Sequence, residues 1–160
     1  MKTVTLQAGK WALVVLALTA ALGAVPAHAA GPFQYHAITP CRIFDTRSPG
    51  PPTNLSGPLV NPGPFNLRVQ GTCGVPNGAA AVSANFTVVA ASRPGDIRVY
   101  PFGSGTPATS TVNYPAGTTV ANGALTPLAA TGSGNDVSIV IGMAGAGNIQ
   151  LIMDVTGYFE

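Results

Sequence analysis

Charge is scarce in this sequence. Of its 160 residues 8% are charged, and both lysines, Lys2 and Lys10, stand in the first ten positions. Past residue 30 the charges are Arg42, Arg47, Arg68, Arg93 and Arg98 against Asp45, Asp96, Asp136, Asp154 and Glu160, which cancel. Such a chain builds no basic patch for phosphate, so nucleic acid is not an expected partner. It has no polybasic or amphipathic helical stretch to settle on a membrane surface. Histidine is nearly missing as well. His28 falls in the leader described below, which leaves His36 and excludes a histidine-rich metal centre. A Ser-His-Asp set would have to use His36 with Asp45 or Asp154, and no nucleophile-elbow sequence is present. The acidic residues stand in no recognisable glycosidase setting. The glycine-rich stretches 132–134 and 142–147 lack the strand–helix context and the Lys-Ser/Thr of a phosphate loop. The expectation is a protein that is not an enzyme, with no cofactor and no metal.

What is present begins with a leader. Lys2 and Lys10 give a positive start, an apolar run follows from Trp11 to Val25, and Ala27-His28-Ala29 is a small-x-small cleavage site. This reads as a secretory signal peptide over 1–29. The apolar run is short for a bilayer span, so no membrane span is expected once the leader is cleaved. The expected product is secreted, extracellular or held at the cell surface, with the periplasm as another destination. Residues 30–160 are long enough for one domain with its own core. Low charge with high apolar content marks a folded chain. A neutral surface is also a poor defence against self-association.

Two cysteines remain, Cys41 and Cys73. In an exported chain an even pair most simply forms one structural disulfide, with free thiols or an intermolecular bridge as alternatives. Their spacing fits neither a zinc site nor a CxxC redox motif.

Helix signals are nearly absent past the leader. Glycine and proline punctuate the chain every eight to twelve residues, the spacing of an all-β sandwich or barrel. Strands are expected at Phe33–Ile38, Cys41–Asp45, Phe65–Gln70, Ala81–Ala90, Ile97–Phe102, Thr111–Tyr114, Thr119–Leu125, Val137–Ile141 and Ile149–Phe159. Alternation is clear in two places. Val82, Ala84, Phe86 and Val88 share one face, and so do Ile149, Leu151, Met153 and Val155. Period two with one apolar face means a sheet half buried against another sheet. Val137–Ile141 is apolar almost throughout and reads as a central strand. The expected fold class is all-β, an antiparallel β-sandwich with a flattened-barrel or jelly-roll alternative. The Pro/Gly-rich segment 48–64 holds little to bury and reads as a long surface loop, functional or mobile.

The opening Tyr35-His36-Ala37-Ile38-Thr39-Pro40-Cys41-Arg42-Ile43-Phe44-Asp45-Thr46-Arg47 resembles a β-rich module of secreted bacterial proteins. That family begins with TPCR, two hydrophobic residues and DTR. The likeness continues through Gly74-Val75-Pro76, Ala84-Asn85-Phe86-Thr87, Tyr100-Pro101, Ser110-Thr111-Val112-Asn113-Tyr114 and Ala121-Asn122. It closes on Asp154-Val155-Thr156-Gly157-Tyr158-Phe159. The family occurs as single or tandem modules, often beside enzymes or other extracellular domains. The resemblance implies an extracellular accessory or structural module.

Two groups of residues stand out. Arg42, Asp45, Arg47 and Asp154 are the charges inside the opening and closing motifs. They read as an ion-pair network that pins the first strand to the last, since guanidinium forks pair bidentately with carboxylates. A calcium cage wants oxygen ligands without competing cations, which Arg42 and Arg47 deny it. In a regular strand Asp45 and Arg47 share a face, while Arg42 lies opposite both. Asn85, Asn113 and Asn122 lie in or beside β segments, where asparagine is poor. Each amide either satisfies backbone at an edge or bend, or lines a polar glycan cleft. Tyr35, Tyr100, Phe102, Tyr114, Tyr158 and Phe159 are candidates for stacking on sugar or protein, or else lids on the core. The expected ligand-binding set is therefore Asn85, Tyr100, Asn113, Tyr114 and Asn122. The expected function is a non-catalytic cell-surface interaction module that binds envelope polysaccharide or a surface protein. A self-assembling extracellular structural subunit is the alternative, and an envelope-acting hydrolase a more distant one.

Overall fold

The structure is a computed structural model that describes residues 32–48, 50, 52–53, 55–130 and 134–160. The leader expected over 1–29 lies outside the described residues. Among the described residues nine strands run in chain order: β1 (Tyr35–Asp45), β2 (Leu59–Val60), β3 (Phe65–Leu67), β4 (Ala81–Val89), β5 (Gly95–Pro101), β6 (Val112–Tyr114), β7 (Val120–Pro127), β8 (Val137–Met143) and β9 (Asn148–Phe159).

They form two antiparallel sheets. The first has the order β1-β9-β4-β7, with β2 also pairing β9; the second has the order β3-β8-β5-β6. Neither sheet closes on itself, so the fold is a sandwich and not a barrel. The alternating segments explain why. Val82, Phe86 and Val88 of β4 are fully buried, as are Ile149, Leu151, Met153 and Val155 of β9. Ile97 of β5 and Val137, Ile139 and Ile141 of β8 meet them from the second sheet in the same core cluster. Strand β8 lies between β3 and β5, which accounts for its nearly continuous apolar run.

Three expectations need correction. Phe33–Ile38 and Cys41–Asp45 are one strand, with Thr39 and Pro40 inside it. Proline is tolerated there because β1 is an edge strand, and the ladder to β9 slips between Ala37 and Cys41. Strand β3 ends at Leu67 instead of Gln70. The amides of Val69 and Gln70 both donate to the buried Asp136 carboxylate, at 2.7 and 2.6 Å, and so leave the ladder. The segment 48–64 is not a bare surface loop. It carries β2, whose Leu59 is buried and pairs with Ile149. The cause is a vacancy on β9. Strand β1 pairs with β9 only as far as Ile152, and β2 fills the edge left at Asn148–Ile149. The segment is tied elsewhere too: Gly57 N–H donates to Thr46 O, and Asn61 Nδ2 donates to Gly145 O while its Oδ1 accepts from Gly147 N–H.

Cys41 and Cys73 form a disulfide, Cα atoms 5.6 Å apart and 32 residues apart in sequence. It joins β1 to the turn after β3. Closing a loop of that size restricts the unfolded chain by about 3.5–4 kcal/mol in the chain-entropy model.

Candidate functional site

The outward residues of the first sheet alternate with its core residues, so they form continuous rows across the strands. One row is Arg42, Asp154, Asn85 and Gly123, each paired with the next across β1, β9, β4 and β7. With strands about 4.8 Å apart, the row spans roughly 15 Å. Ser83 and Thr87 flank Asn85 on the same face of β4, and both are half-buried. Ser83 Oγ lies 3.0 Å from Thr156 Oγ1, and Asn85 Nδ2 donates to Thr87 Oγ1 at 3.2 Å. Tyr35 closes one end of this face. Its ring lies over Gly157, where a Cβ would collide with it, and its hydroxyl donates to Thr156 O at 3.3 Å. The ring is tilted against Phe159 at 5.1 Å and remains half exposed. Glycine at 157 thus creates a seat for an aromatic ring on this face.

The other end of the face is charged. Arg42 holds Asp154 with two parallel bonds, Nε–Oδ1 at 2.8 Å and Nη2–Oδ2 at 3.2 Å, which link β1 to β9. It also reaches Asp45 through Nη1–Oδ2 at 3.2 Å. This last contact corrects the expectation that Arg42 and Asp45 lie on opposite faces. The ladder shifts between Arg42 and Phe44, and an inserted residue turns the following side chains over. Arg47 completes the chain with Nε–Oδ1 at 2.9 Å and Nη2–Oδ2 at 2.7 Å to Asp45, whose Oδ1 also accepts from the Arg47 amide. The order is therefore Asp154–Arg42–Asp45–Arg47. The Arg47 side-chain bonds hold the Asp45 carboxyl below its ordinary range, although burial works the other way. The Asp154 carboxylate raises the Arg42 guanidinium further above its ordinary value. Pro40, Cys41, Arg42 and Asp154 line a shallow groove beside this network.

The five residues expected to bind a ligand are not brought together. Asn85 stands on the outer face just described. Tyr100 is 7% exposed and its hydroxyl accepts from Thr106 Oγ1 at 3.1 Å. Tyr114 is 3% exposed; burial first, and then Asp96, push its phenol up to about 12. Neither ring is offered to solvent. Asn113 and Asn122 are both exposed and line one groove between β6 and β7, with Thr111, Val112, Val120 and Ala121. Asn122 Nδ2 donates to Thr111 O at 2.8 Å, so that amide satisfies backbone where the edges of the two sheets meet.

Tyr35, one of the aromatics considered for stacking, stands on this face although it was not in the expected ligand-binding set, and Ser83, Thr87 and Thr156 were not expected there. The signal for Ser83 and Thr87 is the alternation of β4, which sets both on the same face as Asn85. No group of three or more His, Cys, Asp or Glu side chains stands ready for a metal ion among the described residues. Comparison with protein-family models, with curated proteins and with solved structures found no match to this chain.

Proposed function

We propose that this chain is a non-catalytic secreted interaction module that binds neutral envelope polysaccharide on the outer face of its first sheet. The observation that carries the reading is the row Arg42–Asp154–Asn85–Gly123, with Ser83, Thr87 and Thr156 around it and the half-exposed Tyr35 ring farther along the same face, over Gly157. A sugar polymer presents hydroxyls on its edges and C–H groups on its faces. Amide and hydroxyl groups bond the first, and an aromatic ring covers the second. The row crosses four strands, which suits several consecutive sugar units better than a single small molecule. The formal neutrality of residues 31–160 suits an uncharged polymer. The leader and the likeness to secreted bacterial modules support the compartment, and the disulfide is at home in an oxidising one.

The test is depletion of the purified protein by insoluble envelope polysaccharide, quantified across concentration. Tyr35→Ala and Asn85→Ala are each expected to weaken binding roughly tenfold, or ~1.4 kcal/mol. Asn113→Ala, in the separate β6–β7 groove, is expected to bind as the parent does. Saturable binding that neither outer-face substitution alters would place the site elsewhere, and no binding at all would overturn the reading.

A further inference from the structure

The two sheets leave four edges, and three of them are blunted. Strands β3 and β6 are three residues long. Strand β1 is long but carries Pro40, two register shifts and the charged Arg42 and Asp45. Short strands, proline, bulges and charge are the devices that keep a sheet from adding a foreign strand. Strand β7 has none of them along its length. It pairs with β4 through all eight positions, Val120 to Pro127, without a register shift, and β4 is its sole ladder neighbour among the described residues. It contains no charged residue, and its one proline is its last position. Leu125, at 67%, is the most exposed large apolar side chain among the described residues. Leu125 pairs with Ser83 and so lies on the outer face; two and four positions earlier on that face stand Gly123 and Ala121. A Cβ added at Gly123 would meet nothing within 4 Å. The Asn122–Thr111 bond near its start uses a side chain and leaves the ladder edge unpaired.

We propose that β7 is a homotypic docking edge, which pairs antiparallel with β7 of a second copy across a two-fold axis. The unpaired backbone groups require a strand as occupant. The absence of charge leaves an identical strand free to pair, because no antiparallel register of β7 against itself sets like charges opposite each other. An axis through Gly123 sets Leu125 of each copy opposite Ala121 of the other, a large apolar side chain against a small one. The first sheet then runs on continuously through both copies. Seven residues of β7 in each copy, 120–126, then pair and bury less than the roughly 1,000 Å² of a stable interface, so the dimer is weak, with Kd of roughly 0.1 mM. Association at that strength matters where copies are crowded on a surface and binding is multivalent.

Sedimentation equilibrium of the purified protein, from micromolar to about 1 mM, tests this at the concentrations a weak interface requires. The parent chain is expected to pass from monomer to dimer and stop there. Leu125→Lys is expected to weaken the dimer at least tenfold, about 1.4 kcal/mol. Ala121→Lys with Leu125→Lys, which sets like charges against each other across the axis, is expected to abolish it. Ala121→Glu with Leu125→Lys sets opposite charges there and is expected to restore it. Both positions are exposed, so thermal unfolding of each variant should match the parent and separates lost pairing from lost folding. A parent that stays monomeric throughout, or a dimer indifferent to these substitutions, would overturn the proposal. The result is independent of polysaccharide binding, which is measured separately.

Discussion

Asp45 accepts hydrogen bonds from both arginines of the outer-face network and from the Arg47 backbone, while its own side chain is only 10% exposed. Its carboxyl is held below the ordinary 3.8, chiefly by the Arg47 side chain. A carboxyl lowered in the folded state stabilises fully at neutral pH, and that contribution is lost as pH falls below the unfolded value and through the folded one. Asp45→Asn keeps the shape and removes the charge. At pH 7 it is expected to cost on the order of 1 kcal/mol, a modest figure because both arginines are about half exposed. Urea denaturation of both chains should show the gap close as the pH falls below 3.8. A gap constant over that range would mean that the charge contributes nothing. Asp136 makes the opposite use of a carboxylate. It is buried and caps two backbone amides, and so fixes where β3 stops.

Glycines placed in strands mean different things in different strands. Gly95 opens β5 opposite Met143, with Gly142 alongside, and a Cβ on it would run into the Gly142 carbonyl and crowd the Tyr114 hydroxyl. That obstacle is backbone held in a ladder and cannot swing aside. Gly95→Ala is expected to destabilise by about 2 kcal/mol, the usual scale for forcing extra volume into a packed site. Gly123→Ala is expected to be neutral or slightly stabilising, since its site is open and alanine restricts the unfolded chain. Thermal unfolding of the two variants side by side checks both. Equal effects would show that the β5–β8 approach is looser than the geometry has it. Strand β2 teaches a related lesson. Two residues of a proline-rich segment become a strand because β9 has an edge to fill, not because of any local preference.

At the scale of the molecule, β9 is the keystone. It pairs with β1 on one side and β4 on the other, and its first residues take β2. The first and last strands of the domain are therefore partners, and their contacts span nearly the whole chain. Pairings this distant are slow to form, with millisecond-to-second folding typical of such sandwiches. Removal of residues 155–160 takes away the partners of Tyr35–Cys41 and of Ala81–Ala84 together. The truncated chain is expected to lose its cooperative urea transition, as followed by tyrosine fluorescence. A sharp transition that survives the truncation would show that β1 and β4 hold without that end of β9.

The sequence by itself determined the class and layering of the fold. Alternation in Ala81–Val89 and Asn148–Phe159 is a local property, and one apolar face per strand leaves a second sheet as the way to bury it. The disulfide was equally legible, because it needed only an even pair of cysteines past the first thirty residues. What the tertiary structure alone decided are the matters of register and neighbour. A single shift between Arg42 and Phe44 turned Asp45 toward Arg42, and period-two reasoning has no way to see an inserted residue. Tyr100 and Tyr114 are covered while Tyr35 is exposed, because cover comes from segments outside the strand that carries the ring, such as β5 at Asp96 against the Tyr114 hydroxyl. The exposed edge of β7 follows from strand order, which alternation leaves open: an edge strand and a central strand of the same sheet can carry the same pattern and differ only in whether a neighbour is present.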